Sequence, residues 1–140
     1  MIEKLYGLFT KNISDIDFLA DDIKVALCTS GYSPNQDTHE FLSDITNEVS
    51  GVGYTAGGKL LENKTETYTA LTNTTKWDAD DTQWAASTIT ARYAILYKST
   101  GNAATSPLIA YYDFETDQSG VLVTFKITWP TEGLINLVVG

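Results

Sequence analysis

The stretch STITARYAILYK, residues 87–98, decides the fold. Ile89, Ala91, Tyr93, Ile95 and Tyr97 alternate with Thr88, Thr90, Arg92, Ala94 and Leu96, a period of two that belongs to a β-strand. Its first half reads as a strand with one wet face, and its second half as a strand buried on both sides. VLVTFKITW, residues 121–129, repeats the pattern, with Val121, Val123, Phe125, Ile127 and Trp129 on one face and Leu122, Thr124, Lys126 and Thr128 on the other.

Outward from these two, further strands are expected at 23–29, 65–71, 74–79, 107–114 and 133–139, all enriched in β-branched and aromatic residues. Turn signals separate them: KSTGNAATSP before Leu108, ETDQSG before Val121 and PTEG before Leu134. Strands at this spacing predict a mainly β fold, an antiparallel β-sandwich or jelly-roll-like domain. One or two short helices are expected near the amino terminus. EKLYGLFTKNI (3–13) sets Leu5, Leu8, Phe9 and Ile13 at helical spacing; DTHEFLSDITNEV (37–49) offers Asp37 or Thr38 as a cap before Phe41, Leu42 and Ile45. At 140 residues the chain is read as a single domain, 1–140, able to bury roughly two-thirds of the surface of its unfolded form.

Composition narrows the function. Nine Lys and Arg against 18 Asp and Glu give a net charge of −9, which opposes nucleic-acid binding because phosphate contacts rely on clustered cations. No stretch approaches the apolar length of a membrane span, and the first residues lack the pattern of a signal peptide, so a soluble protein is expected. The single cysteine, Cys28, lies in the apolar run IKVALCT without a basic neighbour and reads as a core residue.

Several stretches imitate sites. GYTAGGKL, Gly53 to Leu60, fits G-x-x-x-x-G-K but puts Leu60 where a phosphate loop needs Ser or Thr, and it neither follows a buried strand nor opens a helix. Gly51, Gly53, Gly57 and Gly58 are therefore read as tight positions of a connecting loop. Asp78, Asp80 and Asp81 lack the glycine and the closing glutamate of a calcium loop and read as a solvated turn. His39, the only histidine, has no nucleophile signature near it and reads as a surface residue or a local hydrogen bonder. No catalytic residue, cofactor or metal is assigned on these patterns. Trp77, Tyr93, Tyr97, Phe125 and Trp129 fall inside expected strands and read as core. Tyr32 and Tyr54 lie in glycine- or proline-flanked loops and are the candidate partner contacts.

The run DDIKVALCTSGYSPNQDTHEFLSDITNEVSGVGYTAGGK (21–59), followed by WDADDTQWAASTITARYAILYKSTGNAATSPLIAYYDF (77–114), resembles a family of small structural proteins encoded among the virion genes of tailed bacteriophages. The resemblance covers most of residues 21–129. It is carried by KVALCTSGYSPN, THEFLSD, the GYTAGGK loop, the DADD turn before Trp84 and the ARYAILYKSTG strand. It implies a non-enzymatic virion component, a capsid decoration or cement protein or else a tail or fibre component. It also implies a jelly-roll-like fold, homo-oligomers on symmetry axes, and the major capsid protein or another virion protein as partner.

Overall fold

The computed structural model describes residues Met1 to Gly140 and is mainly β, with two antiparallel sheets packed on one another. The strands are β1 (Ile2–Leu5), β2 (Ile23–Cys28), β3 (Lys59–Leu60), β4 (Thr65–Thr69), β5 (Thr74–Asp78), β6 (Thr82–Lys98), β7 (Leu108–Ile127) and β8 (Ile135–Val138). One sheet has the order β1-β7-β6-β2-β3, the other β4-β5-β8. The only α-helix, α1, is one turn, Phe9–Asn12.

A single core joins the sheets. Val25, Leu27, Ala94, Leu96 and Tyr112 of the large sheet pack with Trp77 and Ile135 of the small one, and Phe9, Ile16 and Phe18 close the gap from the first connection. The Tyr112 hydroxyl donates to the Leu134 carbonyl at 2.8 Å, tying the sheets together where apolar contact alone would let them slide. The opposite face of the large sheet is also covered. Tyr6, Ala26, Cys28, Tyr32, Ile95, Tyr97 and Leu108 form a second cluster there, with Leu42 and Ile45 from the long connection after β2 packed over it.

The backbone of the molecule is the β6–β7 hairpin, closed by the KSTGNAATSP turn as expected. The expected turn at ETDQSG is instead part of β7, so 107–114 and 121–129 are two halves of one 20-residue strand. Between the pairs Ala91↔Gln118 and Tyr93↔Asp113, β6 contributes Arg92 alone while β7 contributes Phe114 to Asp117. This wide bulge holds Glu115 at φ 70° and is knitted by the Arg92 guanidinium, whose Nε donates to Asp113 Oδ1 at 2.7 Å.

The bulge also corrects the reading of residues 87–98. Ile89 and Ala91 pack into the inter-sheet core, but so do Ala94 and Leu96, whereas Tyr93, Ile95 and Tyr97 belong to the cluster on the other face. The strict alternation therefore changes face at Arg92. The two wet-then-buried halves are as the sequence implies: Thr90 is exposed, and Ala94 to Tyr97 are all buried.

The helices are shorter than expected. Residues 2–5 form β1, paired with Ala110–Asp113, because four backbone-paired positions on an open edge outweigh the helical spacing of Leu5, Leu8 and Phe9. In 37–49 only Leu42–Asp44 makes a single 3₁₀ turn. Leu42 N–H donates out of the segment to Ser106 O, and Asp44 Oδ2 accepts from the N–H groups of Glu40 and Phe41, so side-chain and tertiary bonds replace the helical ladder.

Candidate interaction surface and the polar network behind it

Tyr32 and Tyr54 do not face outward, which corrects the expectation that they offer partner contacts. Tyr32 is 1% exposed, and Tyr54 is half-buried against the inter-sheet core. The loops that carry them are themselves the cover of the large sheet, so a loop position here means an inward ring.

Tyr32 lies in a chain of polar groups. Asn35 N–H donates to His39 Nδ1 at 3.2 Å, which makes Nδ1 an acceptor. Tyr32 therefore donates its hydroxyl proton to the same nitrogen at 2.8 Å, and the buried Tyr6 hydroxyl donates to Tyr32 at 2.9 Å. The Tyr32 and His39 rings stack 5.6 Å apart. Of the two readings its sequence context allows, a surface residue or a local hydrogen bonder, His39 is the second.

Tyr54 lies in a second network. Its hydroxyl accepts from Leu27 N–H at 3.0 Å and donates to Glu48 Oε2 at 2.6 Å, and Gly57 N–H donates to the same carboxylate oxygen at 2.7 Å. Burial and then the Glu48 carboxylate push the Tyr54 phenol well above its ordinary range. Tyr97 donates to the Gly57 carbonyl at 2.5 Å, and burial, with the Glu48 charge behind it, pushes its phenol up to about 12. The glycine-rich stretch is thus a strap pinned across β2. A Cβ on Gly58, at φ +80°, would lie 1.7 Å from the Val25 carbonyl oxygen, so the glycine serves a close backbone crossing.

Beside this strap, a shallow cleft of about 530 Å³ is lined by Leu42, Ile45, Glu48, Tyr97, Asn102 and Ser106. Its strongest polar groups, Glu48 and Tyr97, already hold the strap. Cys28 is fully buried, and burial pushes its thiol up to about 12. Asp78, Asp80 and Asp81 are tied separately: Asp78 to Lys76 at 3.8 Å, Asp80 to the Asn63 amide, and Asp81 to Trp129 N–H at 2.9 Å and Lys126 at 3.6 Å. No group of three His, Cys, Asp or Glu residues converges as a metal site.

What the surface does present is apolar. Val121, Leu122 and Val123 are 73%, 68% and 50% exposed, although a regular strand would turn one of three consecutive side chains inward. Neither face of the ribbon is covered here, since Glu115 to Ser119 and Val121 to Thr124 are all exposed, and the backbone is also irregular. Leu122 is held at φ 52° and Ala86, across the hairpin, at φ 47°, with register shifts on both sides of Ser87. The Ser87 hydroxyl lies 2.9 Å from Trp84 O and 3.0 Å from Val123 O, and Leu122 N–H donates to Thr88 Oγ1 at 3.1 Å. Thr88 N–H donates to Val52 O at 2.9 Å, which brings the 61% exposed Val52 beside the three. Non-glycine residues in the left-handed region cost on the order of 1–3 kcal/mol each, so this part of the ribbon carries local strain. The sequence signal was VLV itself, an apolar triplet with no polar member to take the wet face.

No family model, no curated protein and no solved structure matches the chain.

Proposed function

We propose that the chain is a non-enzymatic structural protein of a tailed-bacteriophage virion, acting as a capsid decoration or cement protein that binds across capsomers. The observation that carries this reading is the Val121–Leu122–Val123 stretch: three consecutive apolar side chains stand in water on an irregular part of the ribbon, on a chain of net charge −9. Consecutive apolar side chains left in water suit a docking surface. The groups able to do chemistry support the same reading by their engagement. His39, Glu48, Tyr54 and Tyr97 each hold a piece of the scaffold through short hydrogen bonds. The resemblance of residues 21–129 to phage virion proteins supplies the biological setting.

A protein that binds the assembled shell and not its separate subunits stabilises the shell by mass action, and modest contacts repeated by symmetry suffice. The test is quantitative mass spectrometry of purified particles of the virus encoding the chain. A copy number equal to that of the major capsid protein, or a simple symmetric fraction of it, is expected. A handful of copies per particle would move the protein to the tail or fibres, and absence from particles would overturn the reading.

A further inference from the structure

The Tyr6–Tyr32–His39 chain runs in one direction, and a single proton sets that direction. Tyr6 and Tyr32 are both buried, and the Tyr6 hydroxyl bonds to Tyr32 alone. Nδ1 of His39 accepts from Asn35 N–H and from Tyr32, so the hydrogen of the neutral ring sits on Nε2 and a second proton can go only to Nδ1. That nitrogen then becomes a donor. The hydrogens of Tyr6, Tyr32 and Nδ1 would share the Tyr6–Tyr32 and Tyr32–His39 links, which leaves one buried hydroxyl hydrogen without an acceptor, while Asn35 N–H would point at another donor.

The ionisable groups around this chain leave the change of charge to the imidazole. Tyr6 reaches it from the first connection, and Cys28, Tyr93 and Tyr111 from the large sheet. Phenols keep their protons between pH 5 and 8, the range in which histidine is the side chain that ordinarily changes charge, and burial pushes the Cys28 thiol up to about 12. On the segment of His39 itself, Asp37 is exposed and Glu40 is turned to Asn12 and Lys11. The Asp44 carboxyl is held below its usual range by Phe41 N–H, then by Glu40 N–H and by positive charge on the His39 ring, so it stays ionised and draws a proton towards that ring.

We propose that His39 is a proton-operated latch, which releases the Tyr32 end of residues 30–39 from the large sheet when Nδ1 takes up a proton. In the closed state the chain of hydroxyls holds Tyr32 edge-on to Tyr93, with ring centroids 5.9 Å apart. In the open state water supplies the acceptors and the protonated ring meets no conflict, so acid favours opening. Gln36 keeps the other end in place, because its carbonyl accepts from Gly7 N–H at 2.8 Å and its side-chain amide donates to Leu5 O at 2.9 Å. The segment therefore loosens at Tyr32 and does not detach. What it uncovers is a group of rings, Tyr6 and Tyr93, each packed on Tyr111, with centroids 5.2 and 6.5 Å from it.

Nuclear magnetic resonance of the full chain between pH 8 and pH 5 tests this, on either side of the value of about 6.5 at which an imidazole in water takes up its proton. His39 is the only histidine, so the imidazole signal is unambiguous. The ring signals of Tyr6 and Tyr32 and the Asn35 amide are expected to change with the same midpoint as the imidazole. Exchange of the Tyr32 and His39 amides, which donate to Thr29 O and Asn35 O, should rise at least about tenfold over the intrinsic rate, while the amides of Ala94 to Tyr97 keep their protection. His39→Asn sets a carbonyl oxygen, which accepts but takes no proton, in the place of Nδ1, and should stay closed at both pH values. An imidazole that titrates while Tyr6 and Tyr32 stay unmoved, or tyrosine signals that move with a different midpoint, would overturn the proposal in the wild type alone. The same acid response in a folded His39→Asn variant would also overturn it, by assigning the response to carboxylates. None of these results alters the particle copy number, so the virion reading stands or falls separately.

Discussion

Phe18 and Trp77 lie face to face, their ring centroids 4.7 Å apart and their planes 7° from parallel. Phe18 comes from the irregular connection between α1 and β2, and Trp77 from the middle strand of the small sheet. Phe9 meets the same indole edge-on at 6.0 Å, and the Trp77 Nε1–H donates to Glu66 across the β4–β5 pair. The indole is therefore where the first connection, the small sheet and the core are joined.

Trp77→Ala should cost about 3–5 kcal/mol, the range for deleting a large buried aromatic, and Phe18→Leu no more than about 1.5 kcal/mol. Urea denaturation gives both values. Equal losses would mean that the stacked pair, and not the volume of the indole, carries the contact.

Gly58→Ala should be among the most damaging single-methyl additions in the chain. The added carbon would meet the Val25 carbonyl oxygen at 1.7 Å and sit at a positive φ, so a loss of at least about 3 kcal/mol, or failure to fold, is expected. Gly101→Ala is the control. It shares a positive φ of +85° but has open space around it, so backbone strain alone should cost about 1 kcal/mol. Melting temperatures of the two variants separate steric crossing from backbone conformation.

Alkaline pH should unfold the protein cooperatively. An ordinary phenol titrates at about 10. Burial first of all raises Tyr6, Tyr54 and Tyr112 well above that value and Tyr32 and Tyr97 to about 12. A raised phenol keeps its proton in the folded state, so its stabilising effect is fully present below about pH 10 and is lost as pH rises towards and through the folded values. Phenolate absorbance and far-ultraviolet circular dichroism should therefore change together above pH 10 for these five rings. Stepwise phenolate formation before loss of structure would show that the rings are more open to water than their packing indicates.

Trp84→Phe should be nearly neutral, within about 1 kcal/mol, although Trp84 is 1% exposed. Its Nε1–H is buried without a hydrogen-bond partner, so the smaller ring loses contact but also removes an unsatisfied donor, itself a cost of about 1–3 kcal/mol. Trp84→Ala, which creates the full cavity, should cost about 3–5 kcal/mol. Thermal denaturation of both variants checks the sign of the difference.

The strands were legible wherever burial imposed a pattern. Residues 23–29, 65–71, 74–79 and 133–139 all contain strands, because β-branched and aromatic residues on a pleated, half-buried surface leave a local trace. β1 left none: IEKL is polar and short, and its state is set by pairing with β7, far along the chain. The β7 bulge was hidden because a bulge and a turn call on the same residues, so ETDQSG reads equally well as either. Tyr32 and Tyr54 were misplaced because sequence marks a loop but not what the loop covers. The apolar display was readable as VLV, yet a strand with that composition is normally central. Only the short span of β1 and the exposure of the residues around the triplet show that it lies open.

The pairing of β2 with β6 has a temporal side. β2 carries the apolar run IKVALC, but its partner residues, Tyr93 to Lys98, emerge from the ribosome only after the long connection, the β4–β5 hairpin and half of β6 have been made. β1 waits longer still, until Ala110–Asp113 exist. The β6–β7 hairpin contains its own partners and can close first, so the earliest-synthesised strands are recruited last onto a late-made template. The growing chain therefore carries exposed apolar strand edges through most of its synthesis, and a chain truncated before residue 108 has no partner strand for β1 and no β6–β7 hairpin on which to place β2.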